Sequence, residues 1–221
     1  MTQIDQIRLL KLLYQYRAMG FEYFKEYKPV EQKENSILLS SQIENLEQNV
    51  NNCHLCNLAK NRKNIVFGEG NTNADLMFIG EGPGANEDAS GKPFVGRAGM
   101  LLTKIIENVL NLTREDVYIT NIVKCRPPEN RVPTLEEVSA CKPYLLQQIK
   151  MVNPKIIVAL GSTSFHHLMG EYETPISKIR GEILNFGEAK LIPTYHPSFL
   201  LRNPSSKKDV YEDMLKVKGM L

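Results

Sequence analysis

Leu76-Met77-Phe78-Ile79-Gly80-Glu81-Gly82-Pro83-Gly84 is the stretch that decides the fold. An unbroken apolar run stopped by a turn-forming sequence reads as a strand covered on both faces. Working outward, a helical pattern through Leu101, Leu102, Ile105, Ile106, Val109 and Leu110 leads to a second run, Val117-Tyr118-Ile119-Thr120. Such alternation implies a parallel sheet covered by helices. Lys155-Ile156-Ile157-Val158-Ala159-Leu160 is the clearest buried strand. Gly161-Ser162 turns it into a short helix, and Ala189 to Thr194 forms a last strand. Thr134 followed by Glu137 has the form of a capping box, opening a helix that Pro143 is expected to kink or divide. A closing helix is expected from Lys207 to Leu221, capped by Ser205 or Ser206.

Upstream the texture differs. Ile4, Ile7, Leu10, Leu13 and Tyr14 recur at helical spacing, so an amphipathic helix is expected to run toward Tyr27 and end at Pro29. Residues 31–35 read as a linker, and a second helical pattern covers 36–50. Residues 1–45 are therefore read as a helical N-terminal extension and 46–221 as the main domain. Helices of this kind need an apolar partner, which the sequence leaves open.

A chain of 221 residues is long enough for one α/β domain with an appendage. Its 42% hydrophobic and 24% charged residues are those of a soluble globular protein, not of a disordered or fibrous one. A formal charge of +2 neither demands nor excludes a polyanionic partner, because phosphates are bound by local clusters of Lys and Arg. No apolar run approaches the ~20 residues of a membrane span, and the first residues lack a basic start with an apolar core. A cytoplasmic location is expected. In that reducing compartment Cys53, Cys56, Cys125 and Cys141 read as free thiols or metal ligands.

In an open α/β sheet the binding crevice lies beyond the carboxyl ends of the strands. Three such ends are unusual here. The first carries Gly80-Glu81-Gly82-Pro83-Gly84 and then Glu87 and Asp88. The second ends in Asn121, shortly before Cys125-Arg126-Pro127-Pro128. The last carries Tyr195-His196-Pro197-Ser198-Phe199-Leu200-Leu201-Arg202. Taken singly, each has a bland reading as a turn, a solvated charge or a structural His. Together they bring an amide, an imidazole, carboxylates and a permissive backbone to one edge of a sheet, which is how a site is built. His166 and His167 on a short helix, and His54 between cysteines, read as structural.

Four segments carry a family resemblance: Gly80-Glu81-Gly82-Pro83-Gly84, Gly91-Lys92-Pro93-Phe94-Val95-Gly96-Arg97-Ala98-Gly99, Asn121-Ile122-Val123-Lys124-Cys125-Arg126-Pro127-Pro128 and His196-Pro197-Ser198-Phe199-Leu200-Leu201-Arg202. In this order the chain resembles the family 4 uracil-DNA glycosylases from about Cys53 to Leu215. The resemblance implies a three-layer α/β/α sandwich with a central, mostly parallel four-stranded sheet. It implies an enzyme that flips uracil out of single- or double-stranded DNA and hydrolyses its N-glycosidic bond, as a monomer.

The resemblance also implies roles. Phe94 would stack on the base, with Gly82 beside it. Asn121 would accept from uracil N3–H and donate to O4, contacts that cytosine reverses. His196 would donate to O2 as the base leaves. Related enzymes have an Asp where this chain has Gly82, so the water-orienting carboxylate falls to Glu81 or Glu87. Leu200 would fill the gap left by the flipped base, and Ser198 and Arg202 would contact phosphates.

Cys53-x-x-Cys56 alone fits an exposed pair or a zinc knuckle equally well. A zinc ribbon normally closes with a second close pair, and Cys125 and Cys141 are too far apart for that. Four thiolates from scattered loops suit a 4Fe–4S cluster, which the resemblance also implies, in a structural role. Two other readings stay open: a glycosylase of the same superfamily acting on another base, and a cluster-bearing DNA-binding or adaptor module without activity. The stretch from Glu87 to Gly96 has no His, which speaks against a variant that crosslinks to its product through an inserted His.

Overall fold

The computed structural model describes residues 43–221. The helix expected from Ile4 toward Tyr27, its end at Pro29 and the linker at 31–35 lie outside the described residues. The described part of the next pattern is helix α1 (Ile43–Asn51), which buries Leu46 and Val50.

Among the described residues, one sheet of six strands runs in the order β1-β3-β2-β4-β6-β5. Its strands are β1 (Glu69–Gly70), β2 (Leu76–Gly80), β3 (Tyr118–Asn121), β4 (Ile156–Leu160), β5 (Leu184–Phe186) and β6 (Ala189–Thr194). The inner four are parallel to one another, as the apolar runs imply. The expected four-stranded sheet needs correction at its edges, where β1 and β5 add antiparallel to β3 and β6. Both are too short to display a period of two, and neither is fully buried.

The helices are α2 (Ala85–Ser90), α3 (Arg97–Ile105), α4 (Leu135–Val152), α5 (Ser162–Met169), α6 (Ile176–Ile179), α7 (Pro197–Arg202) and α8 (Lys207–Lys218). A π-helical turn, Ile106–Leu110, continues α3. Alternate residues of the inner strands feed two cores. Met77, Ile79, Ile157, Ala159 and Leu191 pack with Val138, Leu145 and Val152 of α4. Leu76, Phe78, Ile156, Val158 and Ile192 pack with Leu102 of α3 and with Val210, Met214 and Val217 of α8. Each buried aliphatic side chain contributes ~1.5–3 kcal/mol relative to exposure, so a strand apolar on both faces is stable only between two helical layers.

Helix α4 begins with the expected box: Glu137 N donates to Thr134 Oγ1 at 3.3 Å and Thr134 N donates to Glu137 Oε2 at 2.8 Å. Pro143 lies inside it without dividing it. The lost backbone bond is outweighed by the continuous buried face on either side of the proline. Helix α8 starts at Lys207 after the 3-10 turn Pro204–Ser206. Ser206 occupies the cap position, but its side chain makes no capping bond.

From β2 the chain steps to β3 on one side and later to β4 on the other. This reversal opens a crevice at the carboxyl ends of the central strands. Among the described residues no helix is long and apolar enough to cross a membrane.

Candidate active site

The crevice is a pocket of about 400 Å³. Four strand ends line it: Glu81 and Gly82 after β2, Asn121 at the end of β3, Gly161-Ser162-Thr163 after β4, and His196 after β6. The sequence reading singles out three of these. Gly161 to Thr163 follows the clearest strand, so the same rule about strand ends points to it.

Asn121 lies opposite Gly80 in the β2–β3 register. A Cβ at position 80 would stand 2.4 Å from Asn121 Oδ1 and 2.5 Å from Phe94 Cζ, so only glycine lets the amide and the ring meet there. Asn121 is 2% exposed. Among the described residues its Oδ1 is the one buried side-chain polar atom without a hydrogen-bond partner. Leaving an acceptor unpaired in the interior costs ~1–3 kcal/mol, so such an atom points to a ligand that donates to it.

The backbone of Asn121 is pinned from behind. Lys124, fully enclosed, donates through Nζ to Asn121 O at 2.8 Å and to Thr120 Oγ1 at 2.6 Å. Thr120 donates to Phe67 O at 2.7 Å, and Gln148 Nε2 donates to the same carbonyl at 3.0 Å. Burial pushes the Lys124 pKa down to about 7.

His196 caps α7. Ser198 N donates to its Nδ1 at 3.1 Å, and Ser198 Oγ stands 2.7 Å from the same atom. A backbone N–H can only donate, so Nδ1 accepts and the neutral ring carries its proton on Nε2. Part of the ring borders the pocket, yet the dense protein around it disfavours charge. Burial, with help from Arg202 and against the pull of Glu87, pushes its pKa down to about 4. The Phe94 ring lies beside it, with centroids 5.7 Å apart and planes 34° from parallel.

The carboxylates divide. Glu81 Oε2 accepts from Thr163 Oγ1 at 2.6 Å. Glu87 Oε1 accepts from Val95 N at 3.0 Å and Gly96 N at 2.9 Å, while its Oε2 accepts from Gly84 N at 3.1 Å. Both Glu87 oxygens are thus committed to backbone, clasping the Phe94 loop to the start of α2. Asp88 is buried and accepts from Lys63 N at 2.9 Å, so it is not the solvated surface charge it resembles when read alone.

A pocket that joins an orphaned amide acceptor, a neutral imidazole donor and an aromatic wall is built for a flat polar ring. Residues 67–216 match the uracil DNA glycosylase superfamily. The type-4 uracil-DNA glycosylase of Thermotoga maritima is 48% identical over 182 residues, spanning 81% of this chain and 94% of that protein. That of Saccharolobus solfataricus is 50% identical over 179 residues, spanning 78% and 83%. The chain belongs to the type-4 uracil-DNA glycosylases.

In this type-4 uracil-DNA glycosylase the remaining expected residues fall on α7 and around the cysteines. Ser198 and Arg202 border the pocket. Leu200 does not: it is 1% exposed and belongs to the core beneath α3 and α8, whereas Leu201 is 44% exposed. The segment after His196 is a helix, and successive helical side chains point ~100° apart, so burying Leu200 turns Leu201 outward.

Cys53, Cys56, Cys125 and Cys141 all line one small apolar pocket, together with Arg62 and Lys124. Arg62 Nη1 stands 3.3 Å from Cys125 Sγ. Burial pushes the Cys141 thiol up to about 12, and burial also raises Cys125 against the opposing pull of Arg62. Among the described residues no group of three or more His, Cys, Asp and Glu side chains could hold a single metal ion. Four cysteines around one apolar pocket with the Arg62 guanidinium against Cys125 fit a larger anionic group such as a cluster.

Proposed function

We propose that this chain flips uracil out of DNA and hydrolyses its N-glycosidic bond, the first step of base excision repair. The orphaned Oδ1 of Asn121 carries the reading. Uracil N3–H is the donor that atom lacks, whereas cytosine presents a lone pair at N3. Phe94 stacks on the base, Gly82 lines its approach, and Nε2–H of His196 meets O2, where negative charge grows as the bond breaks. Glu81, held through one oxygen by Thr163, is the carboxylate that faces the cationic sugar and orients water. Glu87 serves as the clasp of the loop. Leu201 takes the role of wedge that the sequence assigns to Leu200, with Ser198 and Arg202 on the phosphates. Residues 46–221 form the catalytic domain.

An oligonucleotide duplex with one deoxyuridine should lose free uracil in the presence of the protein. Leu201→Ala should slow that release about tenfold on duplex and much less on single strands, where no stacked gap needs filling. Absence of uracil release from either substrate would overturn the proposed activity.

We further propose that Cys53, Cys56, Cys125 and Cys141 hold a structural 4Fe–4S cluster. Bound there, it would tie the loop of Cys53 and Cys56 and the loop of Cys125 to helix α4, which carries Cys141, and no step of hydrolysis runs through it. Anaerobically purified protein should be brown, with about four irons and matching sulfide per chain. Stoichiometric zinc with no iron or sulfide would refute the assignment.

A further inference from the structure

Phe94 adopts a left-handed backbone, φ 52°, which is rare for a residue other than glycine and disfavoured for an aromatic one. Something outside the residue must hold it. Its carbonyl is pressed against α3 so closely that a Cβ at Gly99 would stand 1.9 Å from Phe94 O. That close contact leaves room for the carbonyl but does not attract it.

Glu87 holds the N–H groups that follow, and the attraction on the carbonyls comes from Arg114, in the connection from α3 to β3. One guanidinium nitrogen, Nη2, donates to Pro93 O at 2.9 Å and to Glu69 Oε2 at 3.0 Å. The other, Nη1, donates to Phe94 O at 3.2 Å and to Thr103 Oγ1 at 3.3 Å. Two successive carbonyls are thus turned toward one planar cation, which itself is anchored on β1 by Glu69. Lys92 also pairs with Glu69, at 3.1 Å, but its side chain is 65% exposed and so anchors little.

We infer that Arg114 is a positioning residue for Phe94, fixing the backbone that aims the ring across the uracil pocket. This rests on the reading of Phe94 as the stacking wall. Arg114 touches neither base nor sugar. Its charge-assisted fork to two carbonyls selects the left-handed conformation, and a lysine, with a single point of charge, cannot bridge both in the same plane. Loss of the fork lets Phe94 relax toward an ordinary backbone conformation and swings the ring off the base.

The test uses the full-length protein, a duplex containing deoxyuridine and free uracil as a competitive probe, in a double-mutant cycle. Loss of one stacking contact in Phe94→Ala should weaken uracil inhibition about thirtyfold. Arg114→Met should weaken it about tenfold and Arg114→Lys about threefold, with KM raised more than kcat is lowered. The decisive expectation is non-additivity: Phe94→Ala combined with Arg114→Met should be no weaker than Phe94→Ala alone. A merely structural arginine would lower the melting temperature while leaving the inhibition constant unmoved, or its effect would multiply with that of Phe94→Ala. Either result overturns the inference. If Phe94→Ala itself leaves uracil inhibition unchanged, the stacking reading fails and the inference falls with it. Should Arg114→Met not fold, the same cycle with Arg114→Lys decides by the same criterion.

Discussion

Asn121→Asp should trade uracil selectivity for cytosine tolerance. Asn121 Oδ1 sits buried and unpaired at the end of β3, so the first requirement on a ligand is a hydrogen-bond donor. Uracil meets that acceptor with N3–H and offers O4 to the amide N–H. An ionised Asp only accepts, so it keeps the first contact, repels O4 and welcomes the amino group of cytosine. Each mismatched polar contact in a dry pocket costs ~1–3 kcal/mol, so uracil over cytosine selectivity should fall by about tenfold to a hundredfold or more. Absolute rates on cytosine should stay low, because cytosine is a poorer leaving group. Single-turnover rates on deoxyuridine and deoxycytidine substrates decide the matter. Unchanged selectivity would remove Asn121 from base reading.

His196→Ala should act differently, lowering the rate on uracil without altering which base is chosen, since O2 is common to both pyrimidines. A preorganised donor to a developing oxyanion is worth ~3 kcal/mol, or on the order of a hundredfold in the chemical step. The pH profile reports which form of the ring works. With its pKa pushed down to about 4 by burial, His196 is neutral through ordinary conditions and donates from Nε2. The single-turnover rate, so far as His196 sets it, should be flat from about pH 6 to 8 and change only as pH approaches 4. A rate that declined as pH rose through about 6–7 would instead identify a cationic imidazole. The linkage has a definite sign. The unfolded chain takes up this proton near 6.5 and the folded chain near 4, so His196 erodes stability as pH falls through that window.

What the sequence made legible follows from the length and regularity of each signal. Strands β2 and β4 are apolar at every position, and their ends can be read to within a residue. Edge strands β1 and β5 have two and three residues, too few for any periodicity to emerge. Asn121 and His196 are legible because one ends a strand and the other lies two residues beyond one. The separate fates of Glu81 and Glu87 are not, because Glu87 is captured by the backbone of Val95 and Gly96, a contact no local pattern announces. Leu200 and Leu201 differ only in helical phase, which matters once the segment after His196 is known to be a helix. Cys125 and Cys141 are grouped with Cys53 and Cys56 in sequence by what the resemblance implies, and in space all four line one pocket.

The proposed catalytic groups Glu81, Asn121 and His196 hang at or just beyond strand ends, and this gives that part of the site a built-in ruler. Neighbouring strands are held ~4.8 Å apart by their backbone bonds, so the separations of the groups at the ends of β3, β2, β4 and β6 are set in steps of that lattice. Thermal motion cannot stretch such a site gradually; it is either in register or lost with the sheet. On heating, the spacing of Glu81, Asn121 and His196 should therefore be lost together with cooperative unfolding of the sheet.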